Sequence, residues 1–331
     1  MPPMARYRFV LPVALSVLLL VMLGALGTGR YAIAPVHIVQ ALAGGGDATT
    51  HVVVWQARLP RLLAAAMIGA GLAVSGATYQ AVFRNPLVAP DLLGVLSGAA
   101  FGAASAILLG ASGAGVQAGA FGGGILAMAT GLGVARLLGG GGLLALVLGG
   151  LIANAIFTAL VSLMKYVADP QDQLPAIVYW LLGSLAQVGW GQIVWLTPAL
   201  VLALVPLLAA GRIMDVLSLD DDEARSLGVP ARTWRLAAIG FATFLAALTV
   251  SVAGIIGWVG LLTPHLARLL VGAPHRRMVP LSAVLGAVGV VLADTVARTL
   301  TPGEIPLGML TELFGAVAFV LVLRRLRQDV A

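Results

Sequence analysis

Ten stretches of this chain stay apolar for about the length of a bilayer crossing, and polar residues gather in the gaps between them. The stretches are 9–26, 60–82, 92–110, 115–136, 143–166, 192–211, 233–254, 256–271, 279–298 and 306–323. The first follows Arg6 and Arg8 and precedes Ala32-Ile33-Ala34, so a cleaved signal peptide is an alternative. A signal core is roughly 7–15 residues, and this run is longer, so a first membrane span is expected. Two connections are more than turns. The segment 168–191 holds the pair Tyr179-Trp180 and predicts a short helix at the membrane interface. Within 215–231, Asp220-Asp221-Asp222-Glu223-Ala224-Arg225-Ser226-Leu227-Gly228 has an acidic start and a terminal glycine, the signature of a short helix; a solvated loop is the other reading.

Composition agrees with the pattern. Of 331 residues, 60% are hydrophobic and 10% charged, against about 25% charged in a soluble domain. Mean hydropathy is +1.04. The expected fold is therefore an all-α membrane protein of about ten transmembrane helices, a single domain over 1–331. Its 42 glycines are spread through the apolar stretches, where small residues let helices approach closely. With no cysteine, disulfides and thiolate chemistry are excluded. The net charge of +6 is scattered beside apolar runs rather than gathered into a patch, which argues against nucleic acid. Thirteen arginines (6, 8, 84, 136, 212, 225, 232, 235, 276, 277, 324, 325 and 327) fall on one predicted side. Arg30, Arg58, Arg61, Lys165 and Arg298 fall on the other. That imbalance predicts cytoplasmic N- and C-termini.

Catalytic constellations are missing. The one lysine, Lys165, is not in a P-loop, and the four histidines are far apart in sequence, so the chain itself is expected to be no enzyme and to hold no metal or other cofactor. Arg58-Leu59-Pro60-Arg61 puts two cations on the outer side, ahead of a span that Pro60 is expected to begin, and Arg298 sits at another outer helix end. Two readings stay open: snorkelling, with an Asp294–Arg298 pair, or a basic rim for an acidic partner. Asp294, Glu312 and Lys165 lie in or beside spans. They leave a proton-coupled secondary transporter open, beside structural pairs near helix ends. Pro86 to Gly94 and Pro264 to Gly272 form a weak internal repeat.

Four long motifs carry a resemblance that runs from about residue 55 to 323: RLPRLLAAAMIGAGLAVSGATYQAVFRNPLVAPDLLGVLSGAAFGA (58–103), DDEARSLGV (221–229), GIIGWVGLLTPHLARLLVG (254–272) and LADTVARTLTPGEIPLGMLTELFGAVAF (292–319). Together they resemble the iron-chelate and cobalamin uptake permeases of type II ABC importers. The resemblance implies a homodimer of ten-helix subunits in a bacterial cytoplasmic (inner) membrane. It also implies two cytoplasmic ATPase subunits that bind the ATP and Mg, and a periplasmic or lipid-anchored substrate-binding protein. By the same resemblance Arg58, Arg61 and Arg298 receive acidic residues of the binding protein. Asp221, Asp222, Glu223, Ala224, Arg225, Ser226, Leu227 and Gly228 couple to the ATPase, and Asn85 and Leu87 lie near the cytoplasmic gate. The implied cargo is a ferric siderophore first, haem second and cobalamin third. Leu219-Asp220, Pro274 and Val317 depart from the family pattern. On this reading, replacing Arg58 and Arg61 with Glu weakens docking and leaves folding intact.

Overall fold

The computed structural model describes residues 3–29, 31–139, 142–301 and 303–328; Arg30 and the side chains of Arg6, Arg325 and Arg327 lie outside what it describes. Among the described residues the regular structure is entirely helical. Seven helices are long and apolar enough to cross a membrane. They are α1 (Pro3–Gly27), the continuous run of α3 (Ala48–Val52), a π-helical turn (Val53–Arg58) and α4 (Leu59–Val82), then α6 (Gly113–Leu137), α7 (Leu143–Val167), α9 (Trp190–Ala209), α12 (Ala231–Ala253) and α14 (His275–Ala297). Short α2 (Pro35–Leu42) lies between the first two.

Three of the ten expected spans are shorter apolar helices: α5 (Val95–Leu108), α13 (Val259–Val271) and the start of α15 (Leu307–Gln328). At 1.5 Å per residue, α5 and α13 reach only about 20 Å, less than the ~30 Å hydrocarbon core. Each is preceded by non-helical backbone that the hydropathy pattern merges into the span. A 3₁₀ turn, Pro90–Leu93, leads into α5, and an extended stretch after Gly254 leads into α13. Nearby, the irregular backbone at 182–184, the end of α12 and the start of α15 is hydrogen-bonded within the protein, as membrane-depth loops must be. Ser184 N donates to Ala253 O at 2.8 Å, Leu307 N to Gly183 O at 2.9 Å and Gly308 N to Leu182 O at 3.0 Å.

Helix α4 is the hub. Most of its residues are buried, and it packs on α14, α12, α13 and α9, whereas α1 and α9 present much of their surface outward. An apolar helix that is surrounded on all sides belongs inside a bundle. Its closest crossings are made by glycine. A Cβ on Gly69 would collide with the backbone of Gly286 in α14, and one on Gly76 with the backbone of Gly260 in α13. Likewise Gly98 and Gly102 of α5 face Gly123 and Gly119 of α6, small residues four apart on both helices. Pro60 sits in the first turn of α4, as the sequence leads one to expect, but the helical run does not start there: it continues upstream through the π turn and α3 to Ala48.

Both expected connecting helices form. Helix α8 (Gln173–Leu181) carries Tyr179 and Trp180, and α11 (Asp221–Ser226) follows α10 (Gly211–Leu217). Gly228, at φ +75°, closes α11 in the left-handed region that glycine tolerates. The internal repeat is not a structural one. Residues 86–94 are loop and 3₁₀ turn, whereas 264–271 are helix; what they share is a terminal glycine with positive φ.

Candidate docking and coupling ends

The fold brings Arg58, Arg61 and Arg298, 240 positions apart at the extremes, to one end of the bundle. They line a cavity of about 250 Å³ with Tyr31, Asp294 and Glu304. Their surroundings explain why. Helix α1 ends with carbonyls that have no helical partner, and helix C-termini attract cations. Arg58 donates to the carbonyls of Leu26 and Tyr31. Arg298 donates to Thr28 O at 2.7 Å and to Ala25 O. Arg61 points between two carboxylates. Its Nε lies 3.0 and 3.1 Å from the Asp294 oxygens, and its Nη1 lies 3.0 and 2.9 Å from those of Glu304. The Arg61 and Asp294 side chains are only 13% and 5% exposed, so this is a buried pair. The Asp294–Arg298 pair read from the i,i+4 spacing is present but long, 3.8 Å.

The expected cation rim is therefore largely committed inside the chain. In this conformation Arg58 and Arg61 hold the fold together, and replacing both with Glu would not leave it intact: an acid at Arg61 would stand beside Asp294 and Glu304. Sequence reasoning passed over Glu304. It lies in the quoted Pro-Gly-Glu motif, and its pairing with a residue 243 positions away has no local signal. An aromatic group marks the same end. Trp55 stacks on His51 and Trp190; its ring N–H donates to Ala41 O at 2.9 Å, and that of Trp190 to Trp55 O at 2.7 Å. Such residues collect at membrane interfaces.

Helix α4 is 24 residues long, about 36 Å, and a second ionic network lies at its far end. Arg84, left-handed at φ +51°, donates from Nε to Leu217 O at 3.2 Å, from Nη1 to Asp220 at 3.1 Å, and also to Asp221. Arg235 of α12 grips the same carboxylate, at 2.7 and 3.3 Å. The hydrogen bond from Arg235, joined by that from Arg84, holds the Asp221 carboxyl down at about 2. Asn85 follows Arg84 directly, and its side-chain oxygen accepts Leu87 N at 2.9 Å, which shapes a tight turn and leaves Leu87 exposed. Thus 221–228 and Asn85/Leu87 adjoin, bridged by two arginines that carried no assigned role. On α11, Ala224 is buried, while Asp222, Glu223, Arg225, Ser226, Leu227 and Gly228 face outward. Arg225 pairs with Asp222 at 2.6 Å. His275 ties α14 to α10 through Asp215, at 2.7 Å from its N–H and 2.8 Å from Nδ1.

Of the three ionisable residues noted in spans, Asp294 is neutralised by Arg61. Glu312 lines a cavity of about 360 Å³ with Asp91, Leu87 and Trp258. Among the described residues, neither Glu312 nor Lys165 has an ion pair, and no group of three metal-ligating side chains occurs.

Comparison with known proteins settles the family. The model of the FecCD transport family matches residues 17–325. The chain belongs to that family. It is 40% identical over 308 residues to the molybdate import system permease protein MolB of Haemophilus influenzae, covering 92% of this chain and 91% of that one. It is 36% identical over 281 residues to the vitamin B12 import system permease protein BtuC of Escherichia coli, covering 83% and 84%. A solved structure described as an inward-facing conformation of a metal-chelate type ABC transporter superposes with a TM-score of 0.87 at 38% identity, over 95% of this chain and 98% of that one. This FecCD chain is thus a multi-pass ABC importer permease, a class that works with ATPase and substrate-binding partners, and the secondary-transporter alternative falls away.

Proposed function

We propose that this FecCD permease works as a homodimer of ten-span subunits that carries a metal chelate, an iron chelate first, into the cytoplasm of a bacterium. Haem, second, and cobalamin, third, are the alternative cargoes of the same kind. Two ATPase subunits drive it from the cytoplasm, and a binding protein delivers the cargo from outside. The chain binds no ATP of its own. Helices α5, α13 and α15 complete the ten crossings, with their irregular flanks buried in protein, and both termini face the cytoplasm.

One observation carries the reading: the two ends of buried α4 are built differently. One end gathers Arg58, Arg61 and Arg298 with Asp294 and Glu304 around a cavity, where an acidic partner would exchange with Glu304 for Arg61. The other joins exposed α11 to the Asn85-Leu87 turn through Asp221. A partner that moves α11 would pull on that turn, and the turn is the proposed gate. Coupling of this kind requires cargo and nucleotide to favour different states, because equal affinity for both shifts nothing.

Molybdate is the second reading, favoured by the Haemophilus relative. The cavity beside Leu87 favours a neutral or positively charged chelate over molybdate. Its lining includes the carboxylates of Asp91 and Glu312 and no cation, an environment that repels a free dianion. The test is uptake into proteoliposomes containing the permease, its ATPase subunit and its binding protein. Accumulation of a radiolabelled ferric chelate that needs ATP, with no accumulation of molybdate, is the expected result. Molybdate uptake alone would install the second reading, and uptake without the ATPase would overturn both.

A further inference from the structure

At the Asp221 end, three arginines from two helices meet in a cleft of about 60 Å³. Arg136 comes from the last turn of α6, Arg232 from the first turn of α12 and Arg235 from the turn after it; Leu132, Leu146 and Leu236 form the apolar walls. The charges are not equivalent. Buried Arg235 is already paired with Asp221. Arg136 and Arg232 are exposed and, among the described residues, make neither a hydrogen bond nor an ion pair. Two uncompensated positive charges therefore face one cleft.

The placement of Arg232 is also uphill, whereas Arg136 sits at the end of α6 that favours a cation. The start of a helix carries partial positive charge and stabilises anions, so Arg232 in the first turn of α12 repels the dipole it sits on. Nothing among the described residues relieves this. A bound anion would satisfy Arg232, Arg136 and the helix start at once. The surroundings say what kind of anion. Leu137 and Leu144, close in sequence to the cleft residues, are 87% and 72% exposed, and Trp234 and Leu236 are about two-fifths exposed. An aqueous ligand would leave these side chains wet, whereas acyl chains would cover them. The cleft has room for a few waters or one phosphate group, not for a whole lipid.

We propose that this cleft binds the phosphate of an anionic phospholipid in the leaflet at the Asp221 end, with the acyl chains lying along the exposed leucines of α6, α7 and α12. Arg136 and Arg232 hold the phosphate from two helices, and Arg235 stands behind them. Because Arg235 also holds Asp221, the lipid would steady the start of α12, from which the coupling segment hangs. The name of the leaflet, cytoplasmic, rests on the orientation proposed above; the binding itself does not.

The test is native mass spectrometry of the full-length protein in mild detergent. It is titrated with phosphatidylglycerol, with phosphatidylcholine of the same chains, and with inorganic phosphate. Wild type is expected to retain phosphatidylglycerol and to ignore the other two. Each of Arg136→Gln and Arg232→Gln should weaken retention about fivefold, and the pair about thirtyfold. Arg212→Gln, which removes another unpaired arginine from a neighbouring helix end, should leave retention unchanged. Neither cleft substitution breaks a bond within the chain, and the single variants serve if the double one melts early. Equal retention of the two lipids, or unchanged retention in the double variant, would overturn the proposal. So would lost association with the ATPase subunit while lipid retention persists, which would assign the cleft to a protein partner. The readout needs no transport, so a failure here leaves the importer reading standing.

Discussion

Arg61 is held by two carboxylates in a nearly dry setting, and this makes it a structural residue as well as a docking candidate. Removing one partner of a buried pair strands the other. Arg61→Ala is therefore expected to cost about 3–5 kcal/mol, whereas replacing Arg61 and Asp294 together with apolar residues of similar volume should cost much less. Thermal unfolding in detergent would show whether the single change is the worse one. Asp221 makes the opposite kind of pair, half exposed and at the membrane edge. Its carboxyl titrates near 2 in the folded chain, below its ordinary 3.8. A carboxyl lowered by folding contributes stability above its unfolded value, and that contribution fades as pH falls toward the folded one. Melting curves of wild type and Asp221→Asn should thus differ above pH 4 and converge between pH 4 and 2. A gap that stays constant with pH would contradict the Arg84–Asp221–Arg235 bridge.

At the scale of the helix, glycine contacts set the spacing of the bundle. Gly76→Val would drive a branched side chain into the backbone of α13, and Gly69→Val would do the same against α14. Each should cost at least the ~1–3 kcal/mol typical of overpacking. Gly122→Val on α6, where a Cβ meets nothing, should be close to neutral; equal losses at all three sites in thermal melts would refute the crossing geometry. Substituting exposed Leu227 with a bulky charged residue should leave the helices folded and should uncouple ATP hydrolysis from transport, measured as cargo moved per ATP; the same change at Gly228 would add backbone strain at φ +75°.

Much of this layer was legible in the sequence. Hydropathy located all seven long helices because lipid imposes one demand along the whole length of a span, but it began the second at 60 where the helical run starts at Ala48. It failed where apolar residues adopt other backbone, as at Pro90–Leu93 and after Gly254, because hydropathy records solvent and not φ and ψ. The short helix α11 was readable from its acidic start and its glycine. The partners of Arg61, Arg58 and Arg298 were not, since carbonyls of α1 and the carboxylate of Glu304 become neighbours only when distant segments pack.

At the scale of the molecule, α4 is a buried strut between two ionic assemblies, one on each side of the bundle. Docking by an acidic partner at the Arg61 end would have to exchange with Glu304 rather than meet a bare cation. Glu304→Gln is accordingly expected to strengthen association with the binding protein several-fold, read by surface plasmon resonance, and to do so more at low salt. Weaker or unchanged binding in that variant would mean that Arg61 takes no part in docking.

The closure of α1 has a consequence for biogenesis. Synthesis delivers α1 to the bilayer well before α14, yet one of the two guanidinium groups that seal its end lies 270 positions downstream of the carbonyl it meets. Until Arg298 leaves the ribosome, the tip of α1 stays unfinished, so this joint forms late. A chain stopped before that point would retain its hydrophobic segments and lack this seal, a difference that membrane quality control can read.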